Sequence, residues 1–144
     1  MSISLIPGIE SSGSALDAER MRLNVIANNI ANANTTRDAD GKVYRRQQVI
    51  FENVLSQVAA GKDPSSAVQK VQVREIAQDP RPTKLVYMPG HPHANEQGMV
   101  EFPNVNVAEE MVDMITASRA IEANVQVITS AKQMVQRVLE IGRR

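Results

Sequence analysis

Apolar residues recur every seven positions near the N-terminus, at Ile9, Leu16, Leu23 and Ile30. A seven-residue apolar repeat is typical of a helix that buries one stripe against a partner. The repeat runs into Asn-Ala-Asn-Thr-Thr at residues 32–36, and these side chains compete for backbone hydrogen bonds and favour helix ends. The pattern predicts an amphipathic helix from Gly8 to Asn34.

A longer pattern of the same kind lies near the C-terminus. Its apolar seam consists of Met111, Met114, Ile121, Val125, Ile128, Val135 and Leu139, interrupted at Ser118, Lys132 and Gly142. Asn106 followed by Glu109 resembles a capping box, and Glu110 and Asp113 suit the positive start of a helix. The pattern predicts one helix from Val107 to Ile141.

The predicted C-terminal helix is apolar on a second face. Opposite the seam lie Val112, Ala123, Val127, Met134, Val138 and Ile141. A helix of about 35 residues is about 50 Å long, which exceeds the diameter of roughly 40 Å expected for a compact chain of this size. A core helix of a compact bundle is the ordinary interpretation of two apolar faces, but no third long helix is predicted to cover this one. Neighbouring subunits are therefore the better candidate.

The predicted N-terminal helix carries asparagines where solvated helices usually carry Glu and Lys. Asn24, Asn28 and Asn32 are spaced four apart and form an asparagine stripe. Asparagine is a mediocre helix former, so the stripe indicates a face packed against a polar partner, with capping of the helix end as the alternative for Asn32. With Asn29, these residues are assigned to a predicted assembly surface. That surface also includes Asn124, Val127 and the apolar seam residues of both helices, namely Leu16, Leu23, Ile30, Met111, Met114, Ile121, Val125, Ile128, Val135 and Leu139.

The proline-containing middle of the chain predicts short strands. These are Val43–Phe51, Val68–Ile76, Lys84–Met88 and Met99–Phe102, with a turn at Asp40-Gly41. Residues 51–60 fit either a short helix or a loop. The predicted fold is mainly α with a small β-rich insert: long N- and C-terminal helices (1–36 and 104–144), paired as a coiled-coil hairpin, enclose a β-containing segment (37–103).

The composition of the chain argues against several kinds of partner and of chemical activity. Sixteen basic residues balance sixteen acidic ones, which argues against nucleic acid as a partner, and the absence of cysteine excludes thiol chemistry. His91-Pro-His93 with Glu96 has too few ligands for a metal site and is interpreted as a turn. Arg45-Arg46 is interpreted as a solvated edge offset by Asp38, Asp40 and Glu52. We expect no enzyme activity, no cofactor, no cleavable signal and no membrane span.

Two motifs resemble bacterial flagellar axial proteins, the rod and hook class. The first is residues 22–35, RLNVIANNIANANT, and the second is residues 103–124, PNVNVAEEMVDMITASRAIEAN, which includes Asn124. Within that class, the chain length and residues 41–51 (GKVYRRQQVIF) and 84–92 (KLVYMPGHP) look like the proximal rod. The family usually has an aromatic residue where this chain has Ile121, which puts in doubt any subunit contact that needs the ring.

The resemblance implies a structural subunit exported unfolded through the flagellar type III apparatus. It implies a rod within the periplasm as the location, with torque passing through it to the hook. Other rod proteins, neighbouring copies and the base of the motor, meaning its membrane ring and export gate, are the implied partners. A stand-alone coiled-coil adaptor that binds one partner helix is the alternative.

Overall fold

Two helices and two small sheets make up the described part of the chain. A computed structural model describes residues 5–37, 41–56 and 68–142. The elements are α1 (Leu5–Ala31), β1 (Gln47–Ser56), β2 (Val68–Gln78), β3 (Lys84–Tyr87), β4 (Met99–Phe102) and α2 (Val107–Ile141). The prediction of a mainly α protein with a small β-rich insert is confirmed. No helix among the described residues combines the length and hydropathy that a membrane span requires.

Helix α2 has the predicted bounds, and its cap explains its start. The Asn106 side chain accepts a hydrogen bond from the Ala108 N–H (3.1 Å) and donates one to Glu109 Oε1 (3.0 Å). Glu109 therefore accepts a hydrogen bond from the side chain of the cap residue. In a full capping box it would accept from the backbone N–H of that residue instead. Helix α1 begins and ends three residues earlier than predicted, with Pro7 in its first turn, where proline is tolerated. Arg143 and Arg144 lie outside the described residues.

Each sheet is a two-stranded antiparallel hairpin. In the first, Gln47 pairs with Gln78 and Ser56 with Val68, and a bulge places the extra residue, Arg74, on β2. In the second, Lys84 pairs with Phe102 and Tyr87 with Met99. Gly98 lies directly before β4 and has φ +74. A Cβ there would lie 3.0 Å from the Tyr87 ring, so only glycine fits without a shift.

The middle segment differs from the prediction at two points. Neither a helix nor a loop follows residue 51, because residues 51–56 continue strand β1, while residues 57–60 lie outside the described residues. Strand β1 begins at Gln47 instead of Val43, and residues 42–46 carry no strand pairing. Gly41 has φ +75, as the predicted turn requires, whereas its neighbour Asp40 lies outside the described part.

Helix α1 contacts both α2 and the β1–β2 hairpin. Arg22 bonds to Asp113 and Asn29 bonds to Glu110, so α1 and α2 run antiparallel. On the hairpin side, the Ser14 hydroxyl accepts a hydrogen bond from the β2 N–H of Val71 at 3.1 Å. These contacts hold α1 between the second helix and the hairpin.

The buried apolar residues of α2 are small. Those of the two helices are Ala18, Val25, Ile26, Ala117 and Ala131. On α2, Glu110, Ala117 and Ala131 each lie one residue before the predicted seam positions 111, 118 and 132. That half of the predicted seam is wrong, because two alanines and a carboxylate, not the largest apolar side chains, are buried on α2. The other half is half-buried at Met114, Ile121 and Ile128.

Candidate assembly surface and its buried junction

A cluster of polar side chains joins both helices to the middle segment. We call it the buried junction; it consists of Arg22, Asn29, Tyr44, Arg46, Asp79, Arg81, Glu110 and Asp113. Three of these residues are almost fully buried, with exposures of 0% for Glu110, 1% for Asn29 and 5% for Asp79. Buried polar groups destabilise a fold unless they are paired, so the junction depends on its internal bonds.

Asn29 uses every hydrogen-bonding position of its side chain. Its amide nitrogen donates to the Gln47 carbonyl (2.8 Å) and to Glu110 Oε2 (3.0 Å). Its oxygen accepts from the Gln47 N–H (2.9 Å) and from the Tyr44 hydroxyl (2.8 Å). One amide thus bonds to the start of β1 and to α2 with two donors and two acceptors satisfied. The predicted assembly role of Asn29 is corrected, because this side chain lies inside its own subunit.

Arg46 lies among three carboxylates. Its guanidinium is 2.6 Å from Glu110, 3.5 Å from Asp113 and 3.8 Å from Asp79. The prediction of a solvated edge is wrong for this residue, whose side chain is only 15% exposed, although it fits the exposed Arg45. Among the described residues, its acidic partners come from the end of β2 and from α2, whereas Asp38 and Asp40 lie outside the described residues.

Each guanidinium of the junction faces at least one carboxylate. Arg22 binds Asp113 at 3.2 Å and lies 3.8 Å from Glu19 on its own helix, and Arg81 binds Asp79 at 2.6 Å. Glu110 was expected only to favour the helix start by its charge, yet it is the most buried member. Burial and, after it, the nearby Glu110 carboxylate raise the pKa of the Tyr44 hydroxyl.

Acid should weaken the junction through Asp79. Hydrogen bonds from the Arg81 side chain and backbone N–H hold the pKa of Asp79 below its ordinary value of 3.8. A lowered pKa stabilises the fold above the unfolded value, and that contribution is lost as pH falls through the folded value. We expect urea midpoints to decline as pH drops below about 3.8, and Asp79→Asn to make that decline shallower. Equal slopes for the two proteins would contradict this role.

The second apolar face of α2 is exposed. Val112 is 63% exposed, Val127 50% and Ile141 76%. Ala123, Met134 and Val138 are exposed as well. The chain's own described residues therefore do not cover this face, as the sequence predicted. An exposed apolar row of this length is typical of an interaction surface.

The predicted assembly residues fall into two groups besides Asn29. Those half-buried in the chain are Leu16, Leu23, Ile30, Asn32, Met114, Ile121, Asn124 and Ile128. Those exposed are Asn24, Asn28, Met111, Val125, Val127, Val135 and Leu139. The exposed group is available to a second chain.

The two histidines bond to each other's residue in the turn, and His93 also bonds to the segment that follows α1. His93 Nδ1 lies 2.8 Å from the Thr36 hydroxyl, and the His93 N–H donates to His91 Nδ1 at 3.1 Å. Across residues 5–37, 41–56 and 68–142, no three acidic or histidine side chains come together as metal ligands would. These contacts give both rings a role in holding the turn.

Comparisons with known proteins agree on one family. Residues 9–37 match the family model described as "Flagella basal body rod protein", and residues 96–141 match "Flagellar basal body rod FlgEFG protein C-terminal". The flagellar basal-body rod protein FlgC of Yersinia enterocolitica is 43% identical over 97% of this chain and 99% of its own length. Its counterparts in Borreliella burgdorferi and Bacillus subtilis are 44% and 37% identical, over 95% and 92% of this chain and 97% and 94% of their own.

The matches to the relatives extend along nearly the whole chain, and the two family models cover the motif of α1 and the whole of α2 up to Ile141. The helices whose surfaces are described above are thus the parts that define the family. The chain belongs to the FlgC family of flagellar basal-body rod proteins.

Proposed function

We propose that this chain polymerises through the exposed faces of its helices into the proximal part of the flagellar rod, which transmits torque to the hook. As a member of the FlgC family it is a structural subunit of the basal-body rod and not an enzyme. The carrying observation is the exposed apolar face of α2, because a soluble subunit that stays single has no use for it.

The free end of α2 strengthens this proposal. Since Arg22 lies opposite Asp113 and the helices are antiparallel, Leu5 lies opposite about residue 130. The last ten or so residues of α2, about 15 Å, extend past the described start of α1. Val135, Val138 and Leu139 lie there and are 38%, 53% and 67% exposed. A helix end this apolar suits burial by a neighbour.

The same proposal covers the pairing of the helices, the partners and the location of the rod. Helices α1 and α2 pair as a coiled-coil hairpin, supported by their antiparallel contact, and the three parts 1–36, 37–103 and 104–144 act as helix, insert and helix. Neighbouring copies, other rod proteins and the motor base, with its membrane ring and export gate, are the partners. The rod lies in the periplasm, reached through the type III apparatus. A stand-alone adaptor is not favoured, because the full-length relatives are rod proteins.

Deletion of residues 138–144 tests the proposal. Of the deleted residues, 138–142 lie beyond the described start of α1 and outside the buried junction, so the rest of the chain should keep its fold. We expect the truncated chain to be made normally and to be absent from purified basal bodies, leaving cells non-motile. Replacing only Arg143 and Arg144 with Ala is the matched control and should leave motility intact. Normal swimming by the truncated strain would contradict the proposal.

A further inference from the structure

Within the described residues, the outer edge of strand β1 has no partner strand, because β1 pairs only with β2 there. Gln47 directs its N–H and C=O away from β2, since both bond to Asn29. This direction alternates along an antiparallel strand, and the bulge adds its residue to β2, so every second residue from 49 to 55 also directs its peptide groups outward. Within the described residues these outward groups have no hydrogen-bond partner.

Apart from the exposed Glu52, the side chains along this β1 edge do not protect it. Phe51 is 37% exposed, Val54 36% and Leu55 62%. Strand β1 contains neither proline nor lysine, which natural proteins use to keep free edges from pairing. An edge with unpaired peptide groups and apolar side chains is a template for another chain.

Helix α1 has a complementary surface. Between residues 21 and 31 every exposed position is uncharged: Met21, Asn24, Ala27, Asn28 and Ala31. Solvated helix faces normally carry charge. Within the asparagine stripe, Asn32 donates to the Asn28 carbonyl and accepts from Thr35, whereas the Asn24 and Asn28 amides bond to no described residue. Two amides are left facing outward.

The chain itself shows how such amides bind a strand edge. Asn29 bonds to both the N–H and the C=O of Gln47, at 2.9 and 2.8 Å. Residues four apart on a helix are separated by about 6.0 Å, and outward-facing residues two apart on a strand by about 6.8 Å. Asn24 and Asn28 can therefore meet successive outward peptide groups as Asn29 meets Gln47.

We propose that Asn24 and Asn28 of one copy bind the outer β1 edge, residues 49–55, of a second copy. The inference rests on the proposed function and names the surfaces through which copies meet. The contact joins two different patches, so it leaves one of each free on every added copy and continues through a helical assembly.

Cysteine cross-linking tests this contact, because the chain has no cysteine of its own. One strain co-expresses Asn28→Cys and Asn53→Cys copies, and a short bis-maleimide is added to purified basal bodies. We expect a dimer only when both variants are present. Asp17→Cys, exposed on the same helix, replaces Asn28→Cys in the matched control and should give little product with Asn53→Cys.

Three results would overturn the inference. The first is the absence of the 28–53 product in basal bodies that contain the chain, and the second is a product from Asn53→Cys alone, which would mean that β1 edges pair with each other. The third is absence of the unmodified chain from basal bodies, which would remove the proposed function and this contact with it.

A second variant separates the contact from folding. Asn24→Ala with Asn28→Ala improves helix propensity and removes no described side-chain bond, so the free chain should be at least as stable as the parent. Loss of several amide–peptide hydrogen bonds should lower incorporation into basal bodies about tenfold or more. Unchanged incorporation would contradict the contact. Arg20→Ala, at an exposed charged position, is the control and should incorporate normally.

Discussion

Arg46→Ala should destabilise the chain by about 3–5 kcal/mol, the usual result of leaving one partner of a buried ion pair alone. Asp79 keeps Arg81 and Asp113 keeps Arg22, but Glu110 loses the guanidinium at 2.6 Å while its side chain stays fully buried. Domains of ordinary stability unfold with 5–15 kcal/mol, so the loss is a large share of the total. Urea denaturation of the purified chain, followed by circular dichroism, measures it.

The neighbouring arginine supplies the control. Arg45 is exposed and makes no ion pair with a described residue, so Arg45→Ala should change the unfolding free energy by less than about 0.5 kcal/mol. Combining Arg46→Met with Glu110→Gln should recover much of the loss, because no buried charge remains unpaired and Gln still accepts from Asn29. Equal midpoints for Arg45→Ala and Arg46→Ala would show that the junction does not stabilise the fold.

Val127→Asp should abolish rod formation without unfolding the subunit. Val127 is 50% exposed, so in the free chain the new carboxylate faces water and should alter stability by no more than about 0.5 kcal/mol. In the assembly, the same carboxylate faces an apolar contact, where an unpaired charge costs several kcal/mol. Lost burial of the valine adds up to roughly 1.5 kcal/mol. The defect recurs at every equivalent contact, so we expect export, no rod and no swimming.

Two neighbouring substitutions are the comparisons for Val127→Asp. Gln126→Asp places the same charge on an exposed polar position and should leave swimming intact. Ile128→Asp places it on the half-buried α1–α2 side and should unfold the chain. Val125 is 48% exposed, so it belongs with the outer surface and not, as its heptad position predicts, with the contact to α1. Full motility with Val127→Asp would show that α2 buries only one face.

The sequence predicted those features that depend on residues close to one another along the chain. The Asn106 cap and the unbroken apolar pattern fix both ends of α2, and the resemblance at residues 22–35 and 103–124 identifies the family. The helix contact was misplaced by one residue because hydrophobicity favours Met111 and Val125, whereas close approach of two backbones favours Ala117 and Ala131.

The junction could not be predicted because its partners are far apart in sequence. Arg46 and Glu110 are 64 residues apart, and each alone resembles an ordinary surface residue. Asn29 lies four residues after Val25 and three after Ile26, so its spacing places it on the buried side of α1, but no local signal identifies Gln47 as its partner. The continuation of β1 beyond residue 51 could not be predicted either, because it depends on pairing with residues 68–73.

The sequence separations within the junction also determine when the subunit can fold. Its bonds join Arg22 to Asp113 and Asn29 to Glu110, so they close loops of 91 and 81 residues. The entropy lost in closing long loops must be overcome before such contacts form, which makes them late and slow. If the chain leaves the cytoplasm through the type III apparatus, as proposed above, no part shorter than residues 22–113 can complete the junction. A subunit that has emerged only in part therefore stays extensible, and its final shape is set only once residues 22–113 are all outside the apparatus.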